Sequence, residues 1–201
     1  MQKPALDWRK GEKEQGSEGG TRNFIIVCER SSWHLLGNSQ SIGVDVELER
    51  SGREMGKVLI VYHTLSGNTE AMAKAVAEGA KSVAGTEVVL KRAMDASLED
   101  LLNCSAVAFG SADYFSYMAG ALKDFFDRTF YPSQGKVTGK PCAAFATGGG
   151  GGEKVLALLE RMCNTFKLKK VADGVAAAGK PSEGVLKECK ELGKKLAQAT
   201  T

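Results

Sequence analysis

From Lys57 onward the chain alternates short apolar runs with amphipathic stretches, and this alternation limits the possible folds more than any other feature. KVLIVYH (57–63) is an unbroken β-rich run of the kind a fully buried strand requires. Residues 68–83 then set Ala71, Ala75, Val76, Gly79 and Val83 at helical spacing. Residues 86–91, 105–110 and 141–147 read as further strands, 119–130 and 153–166 as helices, and 171–178 as the last strand. Ser182 is placed to cap a closing helix that runs to residue 199. Five strands alternating with four or five helices need right-handed crossovers, which lay helices on both faces of a parallel sheet. The fold class is therefore α/β and doubly wound. Such a sheet takes ligands at the carboxyl ends of its strands, where the strand order reverses. The Gly and Ser clusters of this chain fall at those ends.

Composition adds limits of a different kind. The chain has 201 residues, 43% hydrophobic and 25% charged, which suits one ordinary domain with a tail. No apolar run approaches the roughly 18 residues a membrane span needs, and the polar start does not read as a secretory signal. Five scattered cysteines without a C-x-x-C pair argue against a disulfide framework or a zinc site, and for a reducing compartment. The expectation is a cytoplasmic protein. Its 27 basic and 24 acidic residues are spread over Lys-rich helices, which points to solvated faces and not to nucleic-acid binding. Residues 1–54 differ in character. They open on the polar stretch GEKEQGSEGG (11–20), and 24–28 and 41–49 are possible short strands. The expectation for 1–54 is a disordered extension, or a reading frame extended upstream of a true start at Met55, with the domain over 55–201.

The strongest chemical signal joins the first strand to the first helix. Within six positions, Thr64, Ser66, Asn68 and Thr69 supply side chains able to donate to phosphate oxygens, and Gly67 lets the backbone approach closely. Backbone N–H groups converge there at a helix N-terminus, whose dipole favours an anion. The loop has no G-x-x-x-x-G-K-[ST] and no G-x-G-x-x-G, which disfavours a triphosphate with Mg²⁺ and a dinucleotide pyrophosphate. A terminal monophosphate held by neutral hydroxyls fits best.

This segment resembles the flavodoxin signature, with Tyr62, Thr64, Gly67, Thr69, Ala73 and Val76 in the matching places. The resemblance covers essentially all of 56–201. It implies a flavodoxin-like five-stranded sheet in the order 2-1-3-4-5 that binds FMN. The phosphate would lie in Thr64, Leu65, Ser66, Gly67, Asn68 and Thr69, and the flavin ring between two later loops. The first of these holds Ser111, Ala112, Asp113, Tyr114, Phe115 and Tyr117. With Lys123, Phe126, Asp127 and Arg128 downstream, it is similar to a pattern shared by flavodoxin-like proteins and flavin-dependent quinone reductases. Ala112 stands where many relatives have proline. Three aromatics in four positions suit a flat heteroaromatic ring. The second loop, Thr147, Gly148, Gly149, Gly150 and Gly151, is followed by Gly152, and five glycines together imply a need for backbone freedom or close approach. The resemblance places their N–H groups at the ring edge.

The remaining residues carry less. His63 at a strand end reads as structural, and Cys104, Cys142 and Cys163 as inert core thiols. No metal-ligand spacing and no catalytic side chain is expected, because a bound flavin carries the redox chemistry itself. Two functions follow from the resemblance. One is an electron carrier docking on a redox partner protein, favoured by the compact size. The other is an NAD(P)H-dependent quinone or flavin reductase. The glycine-rich loop favours the reductase, as do the 19 basic against 15 acidic residues of 55–201, since flavodoxins are typically acidic. The carrier is the preferred reading.

Overall fold

The computed structural model describes residues 27–29, 32–34 and 56–200. The chain divides into two units, Met1–Glu49 and Arg50–Thr201. In the first unit, β1 (Val27–Glu29) and β2 (Ser32–His34) pair antiparallel. Residues 27 and 28 of the strand expected over 24–28 lie in β1, and residues 24–26 lie outside the described residues. The strand at 41–49, the disorder expected over the remainder of 1–54 and the start at Met55 all lie outside the described residues.

The second unit follows the expected alternation. It runs β3 (Gly56–Tyr62), α1 (Asn68–Lys81), β4 (Thr86–Arg92), α2 (Leu98–Asn103), β5 (Ala106–Tyr114) and β6 (Tyr117–Met118). It continues α3 (Gly120–Ser133), β7 (Pro141–Gly148), α4 (Glu153–Thr165), β8 (Lys169–Lys170), β9 (Val175–Ala178) and α5 (Glu183–Gln198). The parallel strands lie in the order β4-β3-β5-β7, with β8 and β9 both beside β7 and β6 antiparallel to β5. Counting β8 and β9 as one interrupted strand gives the order 2-1-3-4-5.

Three local departures have physical causes. The last strand is broken between residues 170 and 175, not continuous over 171–178, because Asp173-Gly174 is a poor strand sequence on a sheet edge. β5 runs four residues beyond Gly110 and turns back through β6, so what reads as a loop after the third strand is a hairpin. Helix α2 is absent from the sequence reading. It is set by a capping box, in which Ser97 Oγ accepts from Asp100 N (3.2 Å) and Asp100 Oδ2 from Ser97 N (2.8 Å).

Strand alternation divides the core in two. β3 sends Leu59 and Val61 toward a face shared with Phe109, Phe125, Phe126 and Phe166. It sends Val58, Ile60 and Tyr62 to the other face, where α1 and α5 contribute Ala73, Val76, Ala80, Leu192 and Leu196. On the first face the rings meet edge to face, Phe109 and Phe126 at 4.9 Å between centroids. Burying each such ring contributes about 1.5–3 kcal/mol. Cys104, Cys142, Cys163 and Cys189 are free thiols inside these two cores. Burial pushes the Cys189 thiol up to about 12, far from a reactive thiolate.

Candidate functional site

The chain leaves β3 to form β4 on one side and returns to form β5 on the other, so the order reverses between β3 and β5. Register fixes what gathers at the carboxyl ends: Tyr62 pairs with Gly110, and Ala112 with Thr147. The 63–67 loop, the β5–β6 hairpin and the glycine loop therefore share one end of the sheet.

The 63–67 loop is held by side chains. Thr64 is buried, and its Oγ1 accepts from Gly67 N at 2.9 Å. Gly67 takes a left-handed φ of 87°, which glycine adopts without strain, and serves as the N-cap of α1. It offers no side-chain cap, so the first-turn N–H groups of residues 68–70 are left for another acceptor. Thr69 Oγ1 meets Thr147 Oγ1 at 2.8 Å, both residues buried, which ties this loop to the glycine loop. One proton serves that bond and the second hydroxyl keeps its own to donate elsewhere. Leu65 and Ser66 stand in solvent. Glu70 is ion-paired to Lys74 (2.7 Å) and to Arg92 (3.4 Å), and the Lys74 ammonium bonded to it holds its carboxyl below the usual range.

The hairpin separates residues that the sequence groups together. Ser111 is fully buried; its Oγ donates to Ala112 O (2.9 Å) and accepts from Ala119 N (2.9 Å), so this hydroxyl is spent on the chain itself. Ala112 and Asp113 lie in paired strand, Asp113 opposite Met118. Tyr114 packs inward, edge-on to the His63 ring at 5.8 Å and 74°. Burial, with the Arg92 charge beside it, holds His63 below its ordinary pKa of 6.5 and so neutral near pH 7. Phe115 and Ser116 form the two-residue turn with φ of 57° and 60°, a conformation that costs a non-glycine residue energy. Phe115 stands fully exposed at the tip, with Tyr117 half-exposed beside it. The three aromatics thus do not form one wall: Tyr114 is half-buried against His63, and two face out.

The glycine loop sorts its residues by need. A Cβ on Gly148 would lie 2.0 Å from Gly151 O, and one on Gly152 would lie 2.7 Å from Ala146 O. Gly151 has a φ of 110°. These three are required by the chain. Gly149 and Gly150 are not: neither has a left-handed φ, and a Cβ on either would meet nothing within 4 Å. Between this loop and the hairpin is a cleft of about 490 Å³ lined by Asp113, Ser116, Gly149–Gly151, Glu153 and Lys154. Sequence reasoning missed Ser116, Glu153 and Lys154. The last two follow directly on the glycine run, and their place in the first turn of α4 was the available signal.

The carboxyl end of the sheet therefore carries the uncapped N-terminus of α1 and, between the hairpin and the glycine loop, an open cleft with the exposed Phe115 next to its lining residue Ser116. These features fit a flat heteroaromatic group carrying one phosphate. Among the described residues no helix is long and apolar enough to cross a membrane.

Comparisons with known proteins agree with this geometry. The family model described as Flavodoxin matches residues 60–193. A flavodoxin of Aquifex aeolicus is 38% identical over 160 residues, covering 72% of this chain and 86% of that protein. The solved structure of a flavodoxin from the domain Archaea matches with a TM-score of 0.64 at 30% identity, over 72% of this chain and 98% of that one. Two-electron reduced flavodoxin of Megasphaera elsdenii matches with a TM-score of 0.61 at 26% identity, over 70% and 98%. On these matches the chain belongs to the flavodoxin family, whose members bind FMN and pass electrons through it to redox partners.

Proposed function

We propose that this protein is an electron carrier whose second unit holds FMN across the carboxyl ends of β3, β5 and β7. The observation that carries the proposal is the uncapped N-terminus of α1 at the carboxyl end of the sheet, with Gly67 already anchored by Thr64. The N–H groups of residues 68–70 and the hydroxyls of Thr64, Ser66 and Thr69 would take the phosphate, the helix dipole adding attraction. Leu65 and Phe115, both well exposed, would cover apolar parts of the cofactor, one from the 63–67 loop and the other from the hairpin. Tyr117 and the hairpin backbone at 112–116 complete that side. Gly149 and Gly150 leave their backbone N–H groups unshielded, which gives the ring edge donors without side-chain obstruction. FMN supplies the redox chemistry; the chain supplies position and hydrogen-bond donors.

The carrier reading rests on economy of structure. The longest connection in the described part of the second unit is 134–140, so there is no inserted segment to fold over a nicotinamide. A second reading, an NAD(P)H-dependent quinone or flavin reductase, is favoured by the bare glycine tip, where an aromatic would otherwise shield the ring. Steady-state NAD(P)H oxidation with a benzoquinone acceptor separates the two. A carrier gives negligible turnover, and rapid turnover would establish the reductase. The phosphate assignment is tested by comparing ligands. FMN should bind about a hundredfold tighter than riboflavin, the scale of two charge-assisted hydrogen bonds, and equal affinities would contradict it.

A further inference from the structure

The opposite end of the sheet carries a second surface that flavin binding does not use. Residues 130–140 and 161–172 contain Lys136, Lys140, Arg161, Lys167, Lys169 and Lys170, and no Asp or Glu. Backbone bonds draw the two segments together: Gly139 N donates to Lys167 O (2.8 Å) and Lys169 N to Lys140 O (2.9 Å). Two of the six cations are spoken for. Lys140 Nζ donates inward to Leu101 O (2.6 Å), and Lys170 is paired with Glu160 (3.2 Å) and Asp173 (3.1 Å). Lys136, Lys167 and Lys169 are exposed, and none has an acidic partner among the described residues.

In the same place is a cavity of about 220 Å³. Its lining joins the buried Val137 and Phe166 and the half-buried Phe130 to the exposed Gln134, Thr138 and Lys167. A pocket whose lining sets Phe130, Val137 and Phe166 among hydroxyl and amide side chains, with a cationic margin, can take one large side chain from a partner while the margin reads charge around it. A lipid surface would meet a protruding face better than a concave one.

We infer that this end docks an acidic protein segment, one apolar side chain entering the pocket lined by Phe130, Val137 and Phe166 while flanking carboxylates meet Lys136, Lys167 and Lys169. β7 separates the two ends by about 23 Å. The surface therefore tethers a partner and is not the route of the electrons.

The test uses the full chain and two fluorescein-labelled peptides, a phenylalanine flanked by four glutamates on each side and the same peptide with glycine at its centre. The phenylalanine peptide should bind about tenfold tighter than the glycine peptide, and added salt should weaken both. The variant Lys136→Glu/Lys167→Glu/Lys169→Glu, with an unchanged melting temperature, should lose binding about tenfold or more. Thr138→Trp, which fills the pocket mouth without altering charge, should abolish the preference for phenylalanine. Equal binding of both peptides, undiminished binding by the triple variant, or tighter binding to vesicles containing phosphatidylserine than to the peptide would each overturn the inference.

Discussion

The loop at 64–69 keeps its shape with side chains, and the loop at 147–152 keeps its shape by their absence. In the first, Thr64 fixes the one glycine and Thr69 reaches across to Thr147. In the second, three glycines satisfy the chain's own close approaches and turns, and two meet nothing. A surplus of glycine costs stability through the unfolded state, and the open space at Gly149 and Gly150 fits the proposed approach of FMN to this loop. The contrast lets binding and stability be perturbed separately.

The largest effect should come from Gly148→Ala, whose methyl would press on Gly151 O; overpacking against backbone should cost about 3 kcal/mol in urea unfolding. The double variant Gly149→Ala/Gly150→Ala should raise stability by about 1 kcal/mol, by restricting the unfolded chain. FMN affinity should nonetheless fall about tenfold, the loss of roughly one good hydrogen bond. If the double variant destabilised as much as Gly148→Ala, the division of the loop would be wrong.

The other loop responds to hydroxyls. Thr69→Val should cost about 1–2 kcal/mol by leaving the buried Thr147 hydroxyl without its partner, and adding Thr147→Val should recover part of it. At the hairpin, Ser116→Gly should raise stability by about 1 kcal/mol, because glycine takes the positive φ without cost. A drop in melting temperature would show that the turn is unstrained.

The smallest effect is in pH. The folded chain holds His63 below its ordinary pKa of 6.5, so on acidification the unfolded chain binds that proton first. The contribution is complete above pH 6.5 and is lost as pH falls through the lower, folded pKa. His63→Gln should flatten the fall in stability as pH drops below about 6.5; an unchanged slope would remove His63 from the account.

Much of this was legible in the sequence because burial on both faces forces unbroken apolar runs. β3 and β7 are such runs, and the helices between them carry a clear apolar face. The position of the 64–69 loop came from alternation and hydroxyl density, whereas the order of strands came only from the resemblance to flavodoxins. What was not legible depends on neighbours in space. Phe115 and Ser116 carry no glycine to announce a positive φ, and only the pairing of Tyr114 with Tyr117 imposes it. Ser111 looked available until Ala119 N was found bonded to it. The five glycines look alike in sequence, and only the surrounding atoms divide them. Helix α2 was readable in principle from Ser97 and Asp100, three residues apart, but it is too short to show periodicity.

The central claim is that this chain holds FMN at the carboxyl ends of β3, β5 and β7. The most direct test is to release and identify the chromophore of the purified full chain, reconstituting with FMN if it emerges colourless. The account predicts about one FMN per chain, bound tightly enough to survive gel filtration. A chain that is colourless and also fails to take up added FMN would contradict it.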